Sequence, residues 1–373
     1  MEIRKLHIVQ FKNYQEAEIS FFEGVNCFIG PNGSGKTNIL DAIHYLSMCR
    51  SYLNPIDSQN IRFEQSFFML QSVWNKDGQE VDLYCGVKKG QKKIFKKNKA
   101  EYDKLAEHIG SFPAVMISPY DRNLISEGSE VRRKWMDGII SQFDRRYLEN
   151  LMRYNRILDQ RNALLKNQLK NGFFDRESFE VWDEQLLETG HSISTKRQEF
   201  LKEFIPIFQL FYDELGASGE SVNLIYKSQL IEGDFRSLLV VNMDRDKHLG
   251  YTSVGIHKDD LIFELNAYPI KKFGSQGQQK SYLIALRLAQ YEWLKKHLNQ
   301  NPLLLLDDIF DKLDNNRVEK LMQMVSNHSF GQVLVTDTDE ERVKRIFDSI
   351  QEPFRMFKVE SGKIEQIELQ EAR

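Results

Sequence analysis

The sequence predicts an α/β fold carrying a mainly helical insert, and three stretches predict it. A glycine-rich loop follows a short apolar run and opens a helix near residue 30. A second apolar run, tipped by two aspartates, stands far down the chain as "LLLLDD" at 303–308. Between them, residues 130–215 hold no proline before Pro206 and set Tyr147, Leu151, Tyr154 and Leu158 on one helical stripe.

Each element follows from its local pattern. "IRKLHIVQF" alternates and "GVNCFIG" is a short apolar run ending in glycine, so residues 1–30 read as strands. A helix from Lys36 to Met48 collects Ile39, Leu40, Ile43 and Leu46 on one side. Residues 61–99 read as an antiparallel sheet, with "SFFMLQSVW" and "EVDLYCGV" joined by "NKDGQ", whose Asp77-Gly78 pair suits a tight hairpin. "PAVMISP" is a buried strand fenced by Pro113 and Pro119. Two helical stretches flank "KNGFFD" at 170–175, the second carrying Trp182, Leu186, Phe200, Phe204 and Phe208 at core spacing, with a partner surface as the alternative. An alternating pattern resumes near Leu224. After residue 300 the order is strand, helix 315–327, strand "GQVLVTD", a helix near 340–350 and a closing strand pair.

Bulk properties narrow the class. A chain of 373 residues buries a large core without cross-links, in two or three domains or in one core with an insertion. Its net charge of -3 does not advertise nucleic-acid binding, so any such binding must come from a local patch. Cys27, Cys49 and Cys85 lack C-x-x-C spacing, which argues against a zinc site or disulfide framework and for a reducing cytosol. "MEIRKLHIVQF" is too charged for a signal peptide, and no apolar run approaches the roughly 18 residues of a membrane helix.

The loop "GPNGSGKT" fits the spacing of a phosphate-binding loop. Gly30, Gly33 and Gly35 let backbone N–H groups turn inward without a Cβ in the way, and the following helix aims its positive end at the anion. Lys36 reaches the β- and γ-phosphates and the Thr37 hydroxyl ligates Mg²⁺. Pro31, Asn32, Ser34 and Asn38 complete the nucleotide-contacting loop. The carboxylate at the tip of "LLLLDD", Asp307, is placed to serve Mg²⁺, and Asp308 stands where a general base or water-positioning group would.

About 270 residues lie between the two motifs, which suits a head assembled from both ends of the chain. The stretch "GSQGQQK" at 274–280 resembles the signature loop of ABC-type ATPases through Ser275, Gly277 and Gln278, and "DKLD" at 311–314 resembles their D-loop. Together with "KNY" (12–14), "SPYDRNLISEGSEVRRKWMD" (118–137) and "GIHKDDL" (255–261), these motifs resemble the RecF family of bacterial DNA repair and replication proteins, related to SMC heads. The resemblance spans nearly the full length. It implies a P-loop ABC-type ATPase head of residues 1–118 and 250–373 with a helical insert over 119–249. It also implies nucleotide contacts from Lys12 and Asn13, an ATP-dependent homodimer that sandwiches two ATP molecules, binding to single- and double-stranded DNA without sequence specificity, and work with RecO and RecR to load RecA.

Three positions depart from the ABC pattern. Asp308 replaces the usual glutamate, "AVMIS" offers no Q-loop glutamine, and Asp337 stands where a switch histidine is expected. All three shorten or remove groups that position the attacking water, which implies slow hydrolysis.

For DNA, the densest basic run is "KKGQKKIFKKNK", where Lys92, Lys93, Lys96 and Lys97 would release counterions from phosphates. A solvated edge strand kept soluble by lysines is the equal alternative. Arg132 and Arg133 are further candidates, with ion pairing as their alternative. His257, Asp259 and Asp260 in "GIHKDD" read as structural rather than metal-binding. Two rival readings are a transporter's ATPase subunit and a nucleotide-dependent nuclease.

Overall fold

The computed structural model describes residues 1–171, 175–216, 219–310, 315–326, 330–350 and 353–370. They form two compact units. The first comprises Met1–Arg122, Leu210–Ser218 and Gln276–Arg373, and the second Asn123–Gln209 and Gly219–Ser275.

The first unit holds two six-stranded sheets. One is antiparallel, ordered Tyr14–Ser20, Glu2–Phe11, Phe67–Lys76, Gln79–Lys88, Ile94–Lys97 and Ala100–Glu101. Its central hairpin turns at Asp77 and Gly78, both with positive φ (54° and 77°), as the Asp-Gly pair predicts. The other sheet runs Lys363–Gln370, Phe354–Glu360, Val25–Ile29, Val333–Asp337, Leu303–Asp307, Ala114–Ile117 from edge to edge. Its last five strands are parallel and the first is antiparallel.

Burial explains the apolar runs. Leu303, Leu304, Leu305 and Leu306 are all fully buried, each contributing about 2 kcal/mol, so the aspartate that follows is carried on an immobile strand. The helix Lys36–Met48 begins at Gly35 and ends on Cys49 in the left-handed region (φ 54°). Ile39, Leu40, Ile43 and Leu46 join the core between the sheets.

The second unit is not wholly helical. Helices Ser129–Phe143 and Arg145–Asn171 lie in it, and Glu177–Glu214 runs through it to Gln209. They accompany a three-stranded sheet of Tyr268–Pro269, Asp260–Leu265 and Val222–Lys227. This sheet moves the expected boundary. Asp260–Leu265 pairs antiparallel with Val222–Lys227, so residues 250–275 belong with the insert and not with the head. Leu186, Phe200, Phe204 and Phe208 are buried, as their spacing predicts, while Trp182 is only half-buried. Two arginines hold the unit from inside. Arg161 pairs with Asp183 and Asp246, and Arg197 with Asp137 and Asp259. Such buried charges persist because each is paired with an opposite charge.

Among the described residues no helix is long and apolar enough to cross a membrane.

Candidate functional site

The glycine loop leaves the buried strand Val25–Ile29, and Gly30 donates its N–H to the Asp337 carbonyl at 3.3 Å. A Cβ on Gly30 would lie 2.1 Å from the Val359 carbonyl oxygen, so only glycine passes there. Gly33 and Gly35 take φ of 79° and 115°. At Gly35 a Cβ would also meet the Asn13 amide at 2.5 Å. The outer face of the loop is braced. The Ser34 carbonyl accepts from Asn13 Nδ2 at 3.0 Å and from the Gly362 N–H at 3.2 Å, and the Gly35 carbonyl accepts from the Tyr14 hydroxyl at 3.1 Å. Asn38 Nδ2 donates to Asn13 Oδ1 at 2.7 Å. Pro31, Asn32 and Gly33 are exposed. Lys36 is buried and its ammonium donates to the Gly30 and Pro31 carbonyls at 2.8 and 3.1 Å.

Two strands away in the same sheet, Asp307 turns its carboxylate to the first turn of this helix. Thr37 Oγ1 donates to Asp307 Oδ1 at 2.7 Å. Thr336 Oγ1 donates to the same oxygen at 2.9 Å, and Ser118 Oγ to Oδ2 at 3.2 Å. Burial pushes the Asp307 carboxyl above its usual range, while the three hydroxyls and the nearby Lys36 pull it down. Asp308 follows with φ of 47°, its N–H donating to Thr336 Oγ1 at 3.0 Å.

A glycine cradle, a buried lysine and a hydroxyl–carboxylate pair of hard oxygen donors fit a nucleotide's phosphates with a divalent cation. Thr37 and Asp307 would hold Mg²⁺, and the Lys36 ammonium would take phosphate oxygens.

Several expected residues sit elsewhere than foreseen. Lys12 is committed to Asp41 at 2.5 Å, so it steadies the helix, while Asn13 braces the loop from behind. Arg132 is bound to Asp260 and to the carbonyls of Leu124 and Glu127, and Arg133 to Ser129 Oγ and the Asp259 carbonyl. Both guanidiniums serve the second unit's interior contacts and are not freely presented to DNA. Lys93 is likewise engaged, donating to Tyr45 Oη, the Cys49 carbonyl and Asp57. Lys92 and Lys97 are exposed, and Lys96 lies over the Tyr84 ring. His257 is held by the Tyr154 hydroxyl and the Thr252 carbonyl, and Asp259 by Arg197 and Tyr226. These are structural roles.

Ser275 directly precedes the helix Gln276–Leu298, which contains Gly277 and Gln278 in its first turn. Gln276 is absent from the positive-φ positions, so a side chain at this helix start is no strain. The segment 311–314, compared with a D-loop, lies outside the described residues. Asp337, at the switch-histidine position, accepts from the Asp339 N–H and from Arg342. Ser118 and Thr336 were not foreseen. Ser118 follows one apolar strand beside "LLLLDD" and Thr336 lies in the last residues of the other, and that shared position was the available signal.

This sheet, loop and carboxylate define a P-loop ATPase head of the ABC type. The sequence matches the RecF/RecN/SMC N terminal domain family over residues 2–365. It is 50% identical over 357 residues to the DNA replication and repair protein RecF of Flavobacterium johnsoniae, covering 96% of this chain and 99% of that one. With the RecF of Bacteroides fragilis identity is 47% over 372 residues, the full length of both. A solved structure of the recombination mediator protein RecF with ATP in the RecFOR pathway superposes with a TM-score of 0.89 at 30% identity, covering 98% of each chain. The chain belongs to the RecF family. Of the readings left open by the sequence, membership selects the RecF-like head.

Proposed function

We propose that this protein is an ATP-dependent, DNA-binding recombination mediator whose head dimerises on DNA when ATP is bound. The observation that carries it is the joined Thr37–Asp307 pair together with an exposed Ser275–Gln276 helix start on the same chain. The first half makes a nucleotide site. The second offers donors suited to a γ-phosphate held by another copy, which couples occupancy to assembly.

The chain's own residues suit slow turnover. Backbone N–H groups of the glycine loop and the Lys36 ammonium orient the phosphates, while Thr37 and Asp307 would hold Mg²⁺. The chemistry such a cation would supply there is to offset phosphate negative charge. Asp308, one methylene shorter than glutamate, is the group left to orient a water. Asp337 is engaged with Arg342 and brings no imidazole. Slow hydrolysis makes ATP a clamp, and the enzyme a weak ATPase used as a switch. In the cell this activity would act in the cytoplasm with RecO and RecR at gaps and single-/double-strand junctions, helping to load RecA in replication, recombinational repair and the SOS response.

The deciding experiment is the oligomeric state with and without ATP and Mg²⁺, on gapped, duplex and single-stranded DNA, for the wild type and Ser275→Arg. Association is expected only with ATP, strongest on gapped DNA, and weak in the variant. If ATP never promotes self-association, the proposal fails.

A further inference from the structure

A second line of buried side chains leaves Asp307 on the side away from the glycine loop. Ser118 Oγ donates to Asp307 Oδ2, and the Ser118 N–H donates to Asp121 Oδ2 at 3.0 Å, closing a capping box. Asp121 Oδ1 in turn accepts from Arg287 Nε at 3.1 Å and Nη2 at 2.6 Å. The Tyr52 hydroxyl donates to Asp121 and accepts from Arg287 Nη2. Ser118, Asp121 and Arg287 are 7%, 3% and 7% exposed. Arg287 stands on the helix Gln276–Leu298, about 15 Å along it from Gly277.

The same helix does not pack closely throughout. Its first turns border a cavity of about 320 Å³, with Gln276, Gln279 and Leu283 on one side and Asp307 and Asp308 on the other. This cleft opens to solvent and leaves the start of the helix without close packing on that side, so it has space to tilt that the buried Arg287 end lacks. The Arg287–Asp121 pair stays joined and links the 118–121 turn to the helix as a hinge, because parting a buried ion pair leaves an uncompensated charge.

We propose that Ser118, Asp121 and Arg287 are positioning residues that report the state of Asp307 to the helix start at Gln276. When Asp307 is drawn toward a cation, the Ser118 hydroxyl follows its acceptor. The 118–121 turn moves with it, and the helix pivots about Arg287 into the cavity. Ser118 thus takes up the link that "AVMIS" lacks a glutamine to make. This inference rests on the dimerisation reading above and adds the route by which one chain's nucleotide sets its own dimerising face.

The test compares wild type, Ser118→Ala and Ser118→Thr in two assays: sedimentation with ATP and Mg²⁺, and titration of a fluorescent ATP analogue. For Ser118→Ala we expect ATP-driven association to weaken about tenfold and nucleotide affinity to change by less than about threefold, with Ser118→Thr restoring association. A hydroxyl that merely supports the fold would lower both together. Equal losses, or none, overturn the relay. Should the wild type itself fail to associate, the dimerisation reading is what has failed, and amide exchange over residues 276–284 decides the relay. It stands if ATP protects these amides in the wild type but not in Ser118→Ala, and falls if both respond alike.

Discussion

Thr37 Oγ1 lies 2.7 Å from Asp307 Oδ1, although 270 residues separate them in sequence. Neither group makes a cation site alone. The sheet order, which puts Val333–Asp337 between Leu303–Asp307 and the strand Val25–Ile29 that leads to the Thr37 helix, brings them to one end of the strands.

Thr37→Val keeps the shape and removes the hydroxyl, while Asp307 keeps Thr336 and Ser118 as donors. Nucleotide affinity should fall about tenfold, roughly 1.4 kcal/mol, in Mg²⁺ and change little in EDTA. Titrations in the two buffers check this. A fall of the same size in both would make the hydroxyl purely structural.

Gly33 and Gly35 both have positive φ but differ in surroundings. Nothing lies within 4 Å of a Cβ on Gly33, whereas one on Gly35 meets Asn13 and Tyr14 at 2.5 and 2.8 Å. Gly33→Ala should cost about 1 kcal/mol of stability. Gly35→Ala should cost several times more and abolish nucleotide binding. Urea unfolding of the two variants, alike in composition, gives the comparison; equal midpoints would contradict it.

The lysine run divides into two kinds of residue. Lys93→Glu would set a carboxylate against Asp57, which now lies 2.8 Å from the Lys93 ammonium, and should cost about 2–3 kcal/mol. Lys92→Glu and Lys97→Glu should leave the melting temperature in place. If the run binds DNA, each exposed lysine removed should lower the salt slope of DNA affinity by about one. An unchanged slope would leave these lysines as protection of a sheet edge.

Burial lowers the pKa of His44, His108 and His257 from 6.5 to about 4. Between those values the unfolded chain binds protons that the folded chain refuses. Stability is therefore complete above pH 6.5 and is lost as pH falls toward 4, by roughly 3 kcal/mol at most for each histidine. Urea midpoints at pH 7 and pH 5 should differ accordingly. A flat profile would mean that the imidazoles are charged inside the fold.

The head was largely legible because its signals are local. The glycine loop, the apolar strand with its acid tip and the Asp77-Gly78 turn each state their conformation within a few residues. The second unit was less so. Residues 250–275 lie with the insert because Asp260–Leu265 pairs with Val222–Lys227, and pairing across a long connection leaves no trace in either strand's pattern. Arg132 and Arg133 read as candidates for DNA because a sequence shows a charge but not the carboxylate or carbonyl that answers it. Ser118 was missed for the same reason: a lone serine gains meaning only from the acceptor it faces, 189 residues on.

The strand that carries the glycine loop has both its neighbours, Val333–Asp337 and Phe354–Glu360, at the far end of the chain. Its Ser34 carbonyl is held by Gly362. The loop's backbone partners thus come from residues distant in sequence, so its conformation depends on the whole sheet having closed. A chain truncated before these strands would lack the partners that hold the loop in shape.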